Sequence, residues 1–516
     1  MILVWLIGIL LAGGVLTLLI GQWNKELTRW LALVTLLVDF FASVSFWIAH
    51  YKHIDSLNTW LMSYRHDWIP SFGISFHLAI DGFGLLMLVL TFFLGILAVI
   101  CSWKEVTERI GFFHFNLLWI IAGISGVFMA MDLFLFYFFW ELMLIPMYFL
   151  IGIWGSEKRV YAAYKFFIFT QASGLLMLLS IIGLYFIHGK NTGIYTFNYF
   201  ELLGTTLAPG TALWLLMGFM IAFVVKLSIV PFHSWLPDAH SEAPTGGSLI
   251  LAGLLLKTGA YGIIRFALPL FPLAAQELAP WAMGFGVVGI IYGAILAYSQ
   301  TDLKRLIAYT SVSHMGFVIL GIFAFNELAL QGVVLQIITH AISTGALFIM
   351  AGMLKERLHT RDINQMGGLW SSMPKMGSIG LLFALASLGL PGLGNFIAEF
   401  LILLGTFKVS IWMTVFASFG LVFSAIYSLH IVQKVFLGPS KITFPIKDFS
   451  WREIVIMGLL SLSTIGLGLY PQPIINTAKP MVINLQKLFS KSDKAVQKEV
   501  ITPVSGYTQK EFITKQ

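Results

Sequence analysis

Long apolar runs separated by short polar connections repeat along almost the whole chain. Each run is roughly 20 residues, enough for a helix to cross about 30 Å of hydrocarbon. The pattern predicts about fourteen transmembrane helices, starting near Ile2, Trp30, Phe83, Phe112, Leu133, Phe166, Leu213, Ser248, Trp281, Leu306, Leu330, Ile379, Ile411 and Ile454. Segments of about ten residues with alternating polarity, the mark of a membrane barrel, are not visible. The expected fold class is therefore all-α and integral to a membrane.

Composition agrees. Of 516 residues, 58% are hydrophobic and 11% charged, with a mean hydropathy of +0.87, whereas a soluble domain carries roughly 25% charge. The net charge of +7 would suit a polyanion partner until the Lys and Arg are placed on the connections. Those after odd-numbered spans hold sixteen; those after even-numbered spans hold only Lys52, Arg65, Lys190 and Lys408. The basic-rich side is expected to be cytoplasmic, which puts the N-terminus outward. Cys101 is the single cysteine, so neither an internal disulfide nor a multi-Cys metal centre can form. The first apolar run lacks a basic n-region and a small-residue cleavage motif, and reads as a retained helix beginning at the true start.

Two runs are interrupted alike: "VVKLSIVPFHSWLPDAHSEAPTGGS", with Pro231, Pro237 and Pro244, and "LASLGLPGLGNFIAEF", with Pro391. Interior proline breaks helices, and broken helices in corresponding halves point to a transporter built from repeats. "KFFIFTQASG" and "RLIAYTSVSH" share a basic start, Thr170 with Ser173, and Thr310 with Ser313. The expected organisation is N-terminal helices in 1–111, five-helix units in 112–268 and 281–437, a C-terminal helix in 438–485 and a polar tail in 486–516.

Six ionisable residues stand inside the apolar runs of these units: Glu141, Lys226, Lys257, His314, His340 and Glu399. A charge at mid-bilayer costs roughly 2.5–3.5 kcal/mol on insertion scales, so such residues point to function. Burial disfavours the charged form of each group and an opposite charge restores it, so a buried lysine with a movable carboxylate partner is a proton switch. Each also has a structural reading: Glu141 and Lys226 as helix pins, Lys257 as a snorkelling side chain, the histidines as interhelical hydrogen-bonders, and Glu399 as a partner of half-helix amides. Asp39 and His430 lie away from the breaks and read as structural.

His233 and His240 flank Asp238 without a zinc-ligand spacing and read as polar lining. "GFGVVG" (284–289) matches GxGxxG but lies inside an apolar span with no preceding strand; its glycines suit close helix contact. Tryptophans and tyrosines are assigned mainly to the interface belt.

"FFWELMLIPMYFLIGIWG", "VVKLSIVPFHSWLPDAHSEAPTGGS", "LLLKTGAYGIIRF", "DLKRLIAYTSVSHMGF" and "LGLPGLGNFIAEF" together resemble the antiporter-like membrane subunits of respiratory complex I, the NADH-quinone oxidoreductase, over about residues 1–475. The resemblance implies fourteen helices with two inverted five-helix repeats. It implies a proton-translocating subunit of the bacterial inner membrane, partnered by other complex I subunits, including neighbouring antiporter-like ones. No cofactor or metal is expected in this chain; NADH, FMN, Fe-S clusters and quinone would belong to partner subunits. Carried over by position, Glu141 would tune Lys226, and protons would pass along Lys257, His314 and His340 to Glu399. In some sister subunits of the family the last group is a lysine. A sodium/proton antiporter or membrane-bound hydrogenase subunit is the alternative, and a scaffold with dead channels a second.

Overall fold

The computed structural model describes residues 1–54, 60–442 and 444–501. Among these, thirteen helices are long and apolar enough to cross a membrane, and two shorter apolar ones, Pro374–Leu388 and Gly394–Phe407, supply a fourteenth crossing in two pieces. Every expected span has a counterpart. Starts differ most where a helix outruns the hydrocarbon: Arg159–Thr192 has 34 residues, roughly 50 Å at the helical rise, so it begins before Phe166. Pro272–Tyr298 likewise begins well before Trp281, with Pro272 at its first turn, where a missing N–H is harmless.

The two expected units share an order of shapes. The third helix is the longest in each, at 34 residues for Arg159–Thr192 and 32 for Glu327–Leu358. The fourth is broken: Pro209–Leu227 then Trp235–Glu242 in the first unit, and Pro374–Leu388 then Gly394–Phe407 in the second. The fifth carries π-helical turns, at Leu251–Leu255 and Ile263–Ala267 in one and Val432–Phe436 in the other. An odd number of crossings per unit is what an inverted second unit requires.

The sequence likeness between "KFFIFTQASG" and "RLIAYTSVSH" does not mark equivalent positions, however. The first opens out along the third helix of its unit and the second along the second helix, Leu303–Ile322. Lys165 and Arg305 meet on the same face, both bound to Asp238, whereas inverted equivalents would lie on opposite faces.

Two elements depart from a purely transmembrane plan. Trp60–Ile69 and Ile74–Asp81 form an antiparallel hairpin between the helices Lys25–His50 and Gly82–Glu105. Gly73 closes its turn at φ 66°, a conformation open to glycine. The hairpin is fixed to the second helix of the first unit: the Ser75 N–H and hydroxyl donate to Asp132 Oδ2 at 2.9 and 3.0 Å, while Asp132 Oδ1 caps that helix by accepting from the Phe134 and Leu135 N–H groups. His77, also buried, bonds Ser63 Oγ and Asn198 Nδ2, each at 2.9 Å, and burial pushes its pKa down to about 4.

The helix Gln472–Ile501 runs across the expected boundary at 485/486, while 502–516 of the tail lie outside the described residues. Ile474, Ala478, Met481, Val482, Leu485 and Phe489 are buried, a spacing that forms one helical stripe. Phe489 stacks on Phe325 with centroids 4.0 Å apart, and Trp47 Nε1 donates to Thr477 Oγ1 at 2.9 Å. A Cβ on Gly82 would collide with the Thr477 carbonyl, so glycine permits this approach.

Candidate functional site

Glu141 sits where its helix bends. Leu133–Leu142 and Leu144–Trp154 are separate helices joined at Met143, and Pro146 has no N–H for the carbonyl of Leu142, four residues back. The carboxylate faces Gly174, whose Cβ, if present, would lie 2.8 Å from Oε1. Lys226 ends the first half of the broken helix, 1% exposed. Its Nζ lies over the rings of Trp140 at 5.0 Å and Phe166 at 5.8 Å, a cation–π setting. Neither Lys226 Nζ nor Glu141 Oε1 has a hydrogen-bond partner. The break follows at once: Ser228 takes φ 63°, and Trp235 Nε1 reaches back across it to the Val225 carbonyl at 2.9 Å.

Lys257 occupies the next helix, between its two π-helical turns, and is fully buried. The two helices touch, since a Cβ on Gly259 would meet the Phe223 carbonyl at 2.6 Å and the Leu227 nitrogen at 3.0 Å. From Lys257 the polar groups connect. Its Nζ is 2.7 Å from His340 Nδ1, and an ammonium can only donate, so a neutral His340 carries its proton on Nε2, which has no partner. The His340 and His314 rings are 5.4 Å apart. His314 Nδ1 lies 2.8 Å from Glu399 Oε1, and its Nε2 is 3.2 Å from Tyr427 OH and 3.4 Å from Ser387 Oγ. Gln336 Nε2 donates to Glu399 Oε1 at 3.0 Å, leaving Oε2 without a partner.

The structure thus joins four of the six expected residues in one buried row and sets Glu141 and Lys226 apart, next to it. It reverses the histidines: His340 meets Lys257 and His314 meets Glu399. It also places Glu399 more than a turn inside Gly394–Phe407, bound to side chains where half-helix amides had been an option. Gln336, Ser387 and Tyr427 were missed. Gln336 could have been found, because it precedes His340 by four residues and so shares its helical face. Tyr427, assigned with other tyrosines to the belt, is fully buried.

Asp39 is buried with both oxygens unpartnered, and His430 packs on Tyr298 at 4.9 Å. His240 stacks on Phe348 at 4.3 Å. Among the described residues no three His, Cys, Asp or Glu side chains converge as metal ligands.

The family model described as "NADH:quinone oxidoreductase/Mrp antiporter, TM" matches residues 130–424, which include all six. NADH-quinone oxidoreductase subunit M of Pseudomonas aeruginosa is 52% identical over 497 residues, covering 94% of this chain and 98% of that one. The chain belongs to this family. Subunit M of Escherichia coli K12 is 51% identical over 503 residues, covering 95% and 99%. Among family structures, a chain of respiratory complex I from Thermus thermophilus with bound NADH superposes with a TM-score of 0.85 at 30% identity, covering 94% of this chain and 99% of that one. A chain of the Mrp complex from Dietzia gives 0.84 at 19% identity, over 95% and 98%, and speaks for the shared fold alone.

Proposed function

We propose that this chain is a proton-translocating subunit in the membrane arm of a bacterial NADH-quinone oxidoreductase, set in the inner membrane among other antiporter-like subunits. The observation that carries the proposal is the buried row Lys257, His340, His314, Glu399, in which each group can accept or donate a proton at hydrogen-bond or ring-contact range. Basic residues concentrate on one face, which the positive-inside rule makes cytoplasmic, leaving the N-terminus outward. A proton from that side reaches Lys226. Approach of Glu141 holds it there, and separation releases it toward Lys257. It then passes His340 and His314 to Glu399, whose free Oε2 hands it on toward the outer face. NADH, flavin, Fe-S clusters and quinone reside in partner subunits, which supply the driving energy.

Sodium/proton exchange is the alternative, since the matching family model names Mrp antiporters too. The 52% and 51% identities to subunit M chains favour the oxidoreductase. The test is Lys226→Ala in the assembled complex, assayed in inverted vesicles for NADH-driven quinone reduction and proton uptake. Both are expected to fall at least about tenfold, as removal of an essential proton carrier requires. Both activities intact would overturn the reading.

A further inference from the structure

The short half-helix Trp235–Glu242, which follows the break after Lys226, is gripped from both five-helix units. Asp238 lies at its centre. One carboxylate oxygen is 2.7 Å from Lys165 Nζ of the first unit, and the other is 2.6 Å from Arg305 Nη1 of the second. The three side chains are 16%, 21% and 36% exposed, so solvent screens them only in part. The C-terminal end of the half-helix is held in the same two-sided way. Glu242 accepts from the Lys158 N–H at 2.9 Å on the first unit. On the second, Arg361 Nη2 lies 3.5 Å from Glu242 and Arg361 Nε 3.0 Å from Asp302. At the other end, Trp235 Nε1 donates to the carbonyl of Val225, the residue before Lys226. Thus Lys226 is linked, through the hydrogen bond from Trp235 to the neighbouring Val225 carbonyl, to a half-helix whose carboxylate both units hold.

We propose that Asp238 is a positioning residue that couples the two units: its shared ion pairs with Lys165 and Arg305 set the half-helix, and with it the end of the helix bearing Lys226. The inference rests on the proton-translocating reading and adds to it a route by which the second unit acts on the first. Asp238 carries no proton in this scheme. A displacement of Leu303–Ile322 pulls on Asp238 through Arg305, shifts Trp235 and changes the distance between Lys226 and Glu141. Two discrete arrangements of one packed element, biased from both sides, are what such coupling requires.

The test uses Asp238→Asn, Asp238→Glu, Lys165→Gln and Arg305→Gln in the intact complex, with its amount measured on native gels. NADH-driven proton uptake and quinone reduction are expressed per assembled complex. Asp238→Asn is expected to lower both about fivefold or more, Asp238→Glu to recover to within about twofold of the parent, and each basic variant to lose about two- to threefold. Adding either basic variant to Asp238→Asn should cause no further loss, because the shared partner is already gone. A purely structural role would reduce the amount of complex and leave the rate per complex unchanged. That result, a normal Arg305→Gln, or losses that multiply in the double variants would overturn the proposal. If Asp238→Asn does not assemble, the two basic variants decide: both impaired supports coupling, and Arg305→Gln at the parental rate removes it. If Lys226→Ala abolishes activity while the Asp238 set is normal, only the coupling fails; if Lys226→Ala is active, the functional reading fails first.

Discussion

The two five-helix units place an acid and a base on the same two helices, the second and the broken fourth, but in opposite states. In the first unit the acid, Glu141, is on the second helix and the base, Lys226, on the fourth, and neither Glu141 Oε1 nor Lys226 Nζ has a hydrogen-bond partner. In the second the base, His314, is on the second helix and the acid, Glu399, on the fourth, joined at 2.8 Å. Their surroundings differ too. Lys226 faces the rings of Trp140 and Phe166, whereas His314 and Glu399 are braced by Gln336, Ser387 and Tyr427. The uncompensated group of the first unit is the buried Lys226 ammonium, since the part-buried Glu141 also bonds Tyr137 and Gln171; a buried charge without a partner is held at high energy, and a paired, hydrogen-bonded one is not. On the proposed function, the open pair of the first unit is the candidate switch and the closed pair of the second the candidate terminal acceptor.

The comparison can be broken most severely at the closed pair. Glu399→Gln keeps the shape and an acceptor oxygen for His314 but removes the site where the proton ends, so proton uptake per complex should fall about tenfold; a variant pumping at half the parental rate would exclude Glu399 as terminal carrier. Tyr427→Phe removes one hydrogen bond to His314 Nε2. A neutral hydrogen bond contributes roughly 0.5–1.5 kcal/mol, so a loss of about two- to tenfold is expected, and it should be absent when the same change is made at exposed Tyr298.

The smallest effect lies outside both pairs, in the hairpin. His77 has a pKa of about 4 in the fold against roughly 6.5 unfolded, so the unfolded chain binds more protons between these values. Stability therefore falls as pH drops from about 6.5 toward 4 and is level above that window. Hydrogen-exchange protection of residues 60–81, taken relative to the intrinsic exchange rate at each pH, should be lower at pH 5 than at pH 7, and His77→Gln should remove most of the difference.

What was legible in the sequence follows from cost. Glu141, Lys226, Lys257 and Glu399 announced themselves because a charge in an apolar run is expensive. Gln336, Ser387 and Tyr427 did not, since neutral polar groups are common in membrane helices and only their neighbours give them a role. The fourteen crossings were readable from run length, yet the order His340 before His314 was not, because it depends on how Leu303–Ile322 and Glu327–Leu358 pack. Likewise the alternation in "ISFHLAID" is eight residues long and its polar Ser75 and His77 point inward to Asp132 and Asn198, so period alone could not reveal the hairpin. Asp238 has no signal of its own in the sequence, where it stands between His233 and His240; its partners lie 73 and 67 residues away along the chain.

The most direct measurement on the central claim is Glu141→Ala, made in the intact complex and assayed in inverted vesicles. If Glu141 switches Lys226, NADH-driven quinone reduction and proton uptake are lost together while the complex assembles in normal amount. If both persist at the parental rate, the open pair of the first unit is not a switch, and sodium/proton exchange becomes the reading to test.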